Sequence, residues 1–184
     1  MLSREEAITL FKKYIRDEYF IKRALLSEAI LRNLANVLNK DEKLWALTGF
    51  LHNIDYEYSQ GNPEDRGILS EKLLSGLVPE ETINAIRANN YIYTNYAPVT
   101  ALDKSLIATT EITDLMFEII KNTQDKNQKV IDIPEIFDKY KNRDFASKIK
   151  RKRIKIIEDV GIKLEDFIKI TLKSVIEIKD ELGL

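Results

Sequence analysis

The chain has no cysteine and a single histidine, His52, in 184 residues. The first absence excludes a disulfide framework, thiolate zinc sites and thiol catalysis. Together the two exclude a metal centre assembled from several imidazoles or thiolates. Glycine is scarce, with 6 residues, and none sits in a loop of the kind that cradles phosphate. No serine stands in a nucleophile-elbow pattern. No apolar run approaches the roughly 20 residues that a membrane span needs. The opening residues Met1-Leu2-Ser3-Arg4-Glu5-Glu6 lack the apolar centre of a secretion signal, so a cytoplasmic location is the expectation. Neither sign of charge dominates: 29 Lys and Arg face 30 Asp and Glu, for a net charge of -1. Global charge therefore predicts affinity for neither nucleic acid nor membrane.

What remains is ample for a core. Hydrophobic residues make up 44% of the chain, enough for one domain spanning 1–184. Helical periodicity runs from end to end. Ser3 and Glu6 form a capping box, followed by Ile8, Phe11 and Ile15 at helical spacing. Leu25, Leu26, Ala29, Ile30, Leu34 and Val37 share a face of a second helix. Asp41 caps a third, which carries Leu44, Trp45, Leu47 and Leu51. Asn62 and Pro63 are placed to start a helix that runs through Leu74. Pro79 starts another, ending near Asn89-Asn90, and 91–99 reads as an aromatic loop. A long helix is expected over about 100–120, with the polar stretch 122–128 breaking it. A short helix follows Pro134, a longer one covers about 144–160 and is closed by Gly161, and a last one covers 165–182. Val130 to Ile133 has strand character but no partner strand. The expectation is an all-α single-domain bundle of about eight helices, those from about residue 134 packing on the core.

His52 lies within Phe50-Leu51-His52-Asn53-Ile54-Asp55-Tyr56-Glu57-Tyr58. This segment resembles the HD superfamily of metal-dependent phosphohydrolases, and within it the small stand-alone predicted hydrolases. The resemblance extends over nearly the whole chain. Leu25-Leu26-Ser27-Glu28-Ala29 looks like the first ligand helix. Gly67-Ile68-Leu69-Ser70 and Leu77-Val78-Pro79-Glu80-Glu81 look like the next two. Leu102 to Leu106, continuing through Glu111-Ile112-Thr113, looks like the last. Phe145-Ala146 and the closing Glu181-Leu182-Gly183-Leu184 also fit. The resemblance implies a helical HD-type domain, a divalent metal and a phosphorylated substrate.

The departures fall on the metal ligands. The family places a histidine, then an adjacent His-Asp pair, further histidines in many members, and a late aspartate. At those positions this chain has Arg23, His52 with Asn53, Arg66, Asn89 and Thr110. One ligand of the set survives. A hard or borderline dication needs several imidazoles or carboxylates at close range. Two unit charges about 4 Å apart interact by roughly 4 kcal/mol at an effective dielectric of about 20, so a dication beside one guanidinium is opposed by about twice that. The metal expected of the family, and the water it would activate, are therefore expected to be lost.

The replacements suggest other uses. Arg23 and Arg66 are suited to phosphate or carboxylate, with Lys22, His52 and Lys104 as further contributors. The competing expectation is that the arginines only pair with nearby carboxylates, such as Asp55, Glu57 or Glu111. If the site still works, His52 and Asp55 are the candidates for metal-free general acid–base chemistry. The run 148–155, Lys-Ile-Lys-Arg-Lys-Arg-Ile-Lys, could grip nucleic acid, but it reads better as the solvated face of an amphipathic helix. Tyr91, Tyr93 and Tyr96 read as a flap near the pocket mouth.

Three functional readings follow. The leading one is a degenerate, non-catalytic HD protein that binds a small phosphorylated or otherwise anionic ligand, or a protein partner. The second is a phosphohydrolase with an altered metal site. The third is a nucleic-acid or protein interaction module that uses 148–155. Apolar helices of this kind also pair readily, so a homodimer is one of the expected partners.

Overall fold

The structure is a computed structural model that describes residues 2–125 and 131–184. Its first three helices start where short polar side chains satisfy the first free amides. The Ser3–Glu6 capping box is present ahead of α1 (Arg4–Tyr14), with Glu6 accepting from Ser3 N at 2.7 Å. Asp17 caps α2 (Glu18–Val37), and Asp41 caps α3 (Glu42–Leu51) through the Lys43 and Leu44 amides. Then follow α4 (Ile68–Leu74), α5 (Glu80–Asn89), α6 (Tyr91–Thr94) and α7 (Ala101–Asp125). The remainder forms α8 (Ile133–Lys141), α9 (Arg151–Lys155), α10 (Leu164–Glu177) and α11 (Lys179–Leu182). Single turns of 3-10 helix lie at Tyr56–Tyr58, Pro63–Asp65 and Ile156–Val160.

The chain is thus all-α among the described residues, but with eleven α segments rather than about eight. Each difference has a local cause. The helix expected from Pro63 stops at Asp65 and restarts at Ile68, because Gly67 takes φ +84°. The aromatic stretch read as a loop contains the short α6. The helix expected from residue 144 begins only at Arg151, because Arg151 draws the preceding carbonyls to itself. Its guanidinium donates to the carbonyls of Asn142, Phe145, Ala146 and Ile149, and Ala146 has φ +46°. Gly161 does close this region, at φ +85°. The long helix runs on to Asp125, into the polar stretch 122–128 expected to break it, of which 126–128 lie outside the described residues. Val130, at the start of the suspected strand, lies outside the described residues.

Helices α2 and α7 form the centre. Residues Ala24 to Ala35 and Leu102 to Met116 are buried through most of their circumference. α3 and α10 pack on α2, while α5, α8 and α9 pack on α7. The C-terminal helices from Ile133 therefore complete the same core. Val37, expected on the apolar face, is left 53% exposed at the end of α2. No helix among the described residues is long and apolar enough to cross a membrane.

The contact between α2 and α3 is unusually close. A Cβ at Gly49 would lie 2.5 Å from Ser27 O and 2.8 Å from Ser27 C. Both are main-chain atoms that cannot swing aside. Across the other side of Ser27, its hydroxyl lies 3.3 Å from that of Thr113 on α7. Gly49→Ala is expected to push α3 off α2 and to cost about 1–3 kcal/mol, as overpacking of a filled core does. Urea unfolding measures this; an unchanged midpoint would show that the helices have room to spare.

Candidate functional site

The end of α3 lies beside the first half of α2 and the middle of α7. A cavity of about 350 Å³ opens where these ends meet, a size suited to a small molecule. All six positions singled out from the sequence line it: Arg23, His52, Asn53, Arg66, Asn89 and Thr110. They come from α2, the end of α3, the turn before α4, the end of α5 and the middle of α7. Asp55, Glu111, Asp114, Lys150 and Arg153 line it too. Lys22 and Lys104 do not; they pair with Glu18 at 3.2 Å and Asp159 at 3.6 Å.

His52 follows the last turn of α3, where carbonyls run short of helical partners. Its Nδ1 lies 2.7 Å from Gly49 O. A carbonyl oxygen only accepts, so Nδ1 carries the proton and donates. The ring is 3% exposed, and its Nε2 is buried without a partner. Burial first, then the Arg23 charge, push the imidazole down to about 3, against the pull of the Gly49 carbonyl. His52 is therefore neutral at ordinary pH, with its lone pair at Nε2.

Asp55 does not pair with His52. Its Oδ2 accepts from Gly67 N at 2.7 Å and Ser70 N at 3.1 Å, so it caps α4 from outside. Residues three apart on a helix can share a face, but the chain leaves helical geometry after Leu51, so His52 and Asp55 do not. Burial pushes the Asp55 carboxyl above the usual range, and the two amides oppose that rise.

Of the two arginines, Arg23 pairs with a nearby carboxylate, though not one of the three named from the sequence, and Arg66 pairs with none among the described residues. Arg23 forms a two-pronged ion pair with Asp114: Nε to Oδ1, and a terminal nitrogen 2.8 Å from Oδ2. Glu111 is taken instead by Arg153, whose Nε lies 2.8 Å from Oε1. Arg153 also donates to Asn89 Oδ1 at 2.8 Å, and Thr110 donates to the same oxygen at 3.2 Å. Glu57 is occupied by the amides of Arg16 and Asp17. Arg66 has no carboxylate partner among the described residues. Its guanidinium lies 4.4 Å over the Tyr56 ring, which packs on Phe20 at 4.0 Å, and its Nε is buried without a partner.

Sequence reasoning missed Asp114 and misplaced Arg153. Asp114 lies four residues beyond Thr110 on α7, so its place on the cavity side was readable from helical spacing. The run 148–155 is not simply a solvated face. Arg151 is spent on carbonyls, Arg153 turns into the cavity, and the Lys150 amide donates to Glu111 at 3.0 Å. Nothing in the linear order distinguishes these residues from the solvent-facing Lys152 and Lys155. Of the tyrosines, Tyr93 lines the cavity at 52% exposure, whereas Tyr96 lies under Arg87.

This donor set does not suit a divalent cation. It offers one imidazole lone pair, an amide in Asn53, Asp55 turned towards α4, and Asp114 and Glu111 already paired with Arg23 and Arg153. Among the described residues no three His, Asp or Glu side chains converge as a metal cage. A second cavity, of about 380 Å³ between α1, α2 and α3, differs in kind. Its buried Glu28 is held by Arg4 at 2.7 Å and by Arg32, and no unpartnered buried polar atom lines it. Compared with protein-family models, curated proteins and solved structures, the chain matches none.

Two outcomes follow from this geometry. An unfolded imidazole titrates near 6.5, far above the folded value of about 3. In between, the unfolded chain binds the extra proton, so this contribution is full above about pH 6.5 and is lost as pH falls towards 3. Denaturant unfolding between about pH 7.5 and 4 should fall more steeply for the native chain than for His52→Gln; equal slopes would show that the ring is freely protonated. Asp55→Ala should cost about 1–3 kcal/mol by orphaning two buried amides, and Asp55→Asn much less, because its carbonyl still accepts from both. Equal losses would deny Asp55 its capping role.

Proposed function

We propose that this chain is an HD-like helical protein whose cavity binds a small phosphorylated or carboxylated anion without hydrolysing it through a metal. The observation that carries the reading is the state of the polar groups around the cavity. Arg23 and Arg153 are neutralised by Asp114 and Glu111, and Asp55 is held by main-chain amides. The Arg66 charge is left over, with buried Arg66 Nε and Asn53 Nδ2 lacking any acceptor. Buried donors without acceptors are costly, and an oxyanion satisfies both at once. Guanidinium also suits this role because its planar fork matches carboxylate and phosphate oxygens. The aromatic base under Arg66 fixes its plane, so little side-chain freedom is lost on binding.

Two further features agree with this reading. The HD resemblance rests on segments spread along the chain, and the residues at its ligand positions share one cavity. The substitutions at those positions remove metal ligands and bring in cations. Such a change converts a pocket for a metal-bound phosphate into one that holds the anion by itself.

Titration calorimetry with orthophosphate, glycerol 3-phosphate and nucleoside monophosphates tests the reading, alongside metal analysis of protein purified without chelator. At least one phosphate compound should bind with no metal present. Arg66→Ala should weaken that binding by roughly tenfold to a hundredfold while helicity is retained, the usual size of a hydrogen bond to a charged group. Absence of heat from every anion would refute the anion site. Stoichiometric metal together with phosphatase activity would favour a working hydrolase instead.

A further inference from the structure

We propose that His52 makes the cavity selective for anions that carry a proton on the oxygen they present to it, such as hydrogenphosphate, a phosphate monoester in its monoanionic form, or a hydroxy acid. This rests on the anion-binding reading above and adds to it the residue that decides which anions enter.

The unpartnered groups of the cavity residues ask for opposite things. Asn53 Nδ2 and Arg66 Nε are donors and call for acceptor oxygens. His52 calls for a donor. Its Nδ1 proton is committed to Gly49 O at 2.7 Å, a main-chain atom of its own helix that cannot rotate away. Gly49 itself is fixed by the close approach of α3 to Ser27. The ring therefore cannot reverse its tautomer without leaving a buried carbonyl unpaired. Taking a second proton is opposed as well, since the ring is buried and shares the cavity wall with the Arg23 guanidinium. What His52 offers to a ligand is a fixed lone pair at Nε2.

A fully deprotonated oxyanion satisfies the donors and sets an oxygen lone pair against the imidazole lone pair. Sulfate is such an anion at neutral pH. A phosphate that retains a hydroxyl satisfies both kinds of group, its O–H donating to Nε2 and its other oxygens accepting from Asn53 and Arg66. A site built to accept a hydrogen bond rejects the analogue that cannot donate one, because a buried group is left unpaired.

The experiment compares orthophosphate with sulfate by calorimetry at about pH 6, where a phosphate group keeps a hydroxyl. It adds nitrogen-detected NMR of protein labelled with 15N-histidine, in which His52 is the only imidazole. Orthophosphate should bind at least about tenfold more tightly than sulfate. His52→Gln, whose amide can turn to donate, should bring the two affinities towards equality. In the native chain the spectrum should show Nδ1 protonated and Nε2 bare, and the Nε2 resonance should move with phosphate and not with sulfate. Equal binding of the two ions by the native chain would overturn the role of His52 and leave the anion site standing. A spectrum with the proton on Nε2, or on both nitrogens, would overturn it even if the variant does not fold. Binding of neither ion, with an Nε2 resonance that no anion moves, would overturn both readings.

Discussion

At Gly49 the backbone of α3 rests directly on the backbone of α2, with no side chain between them. The arrangement of the cavity depends on this contact. It sets the last turn of α3 against α2 and so brings His52 and Asn53 to the wall that carries Arg23. It also holds the Gly49 carbonyl still, and that carbonyl orients the imidazole. A larger residue would move α3 outward and carry the histidine with it. One missing methyl group thus links the packing of the two helices to the protonation state of a ring three residues later.

The polar groups around the cavity fall into two sets. The first consists of pairs that satisfy one another: Arg23 with Asp114, Arg153 with Glu111 and Asn89, and Asp55 with the first amides of α4. These are part-buried charges whose partners offset the loss of water, and they act as ties between α2, α5, α7 and α9. The second set lacks hydrogen-bond partners: His52 Nε2, Asn53 Nδ2, Arg66 Nε, and Arg153 Nε, whose contact with Glu111 is an ion pair alone. All of these atoms belong to residues that line the one cavity, among charges that are otherwise paired. The same division separates this cavity from the one beside Glu28, where Arg4 and Arg32 match the buried carboxylate and no buried polar atom among the described residues that line it lacks a partner.

The segment 142–161 shows how a basic run can do several jobs at once. Arg151 folds the irregular stretch by collecting its carbonyls, Arg153 closes the cavity wall, and Lys152 and Lys155 face solvent. A helix-face argument assigns all of them to water, because it assumes a continuous helix from residue 144. The chain breaks at Ala146, with its positive φ, and Arg153 on α9 reaches Glu111 and Asn89.

The sequence by itself determined the helical class, the caps at Ser3, Asp41 and Gly161, and the positions that gather at the cavity. Those features are carried by local rules. A cap needs only the amides two or three residues on, and an apolar stripe needs only the helical period. The six cavity positions were legible because the order and spacing of several segments, taken together, resembled a known arrangement. Only the tertiary structure decided which charges neutralise each other, that Asp55 caps α4 instead of facing His52, and that Arg66 is left without a carboxylate. Those outcomes depend on distances between residues dozens of positions apart, and each carboxylate has several cations within reach of its sequence neighbourhood. The pairing is settled by which helices touch and at what height, and for α2 and α3 that height is set by the absence of a side chain at Gly49.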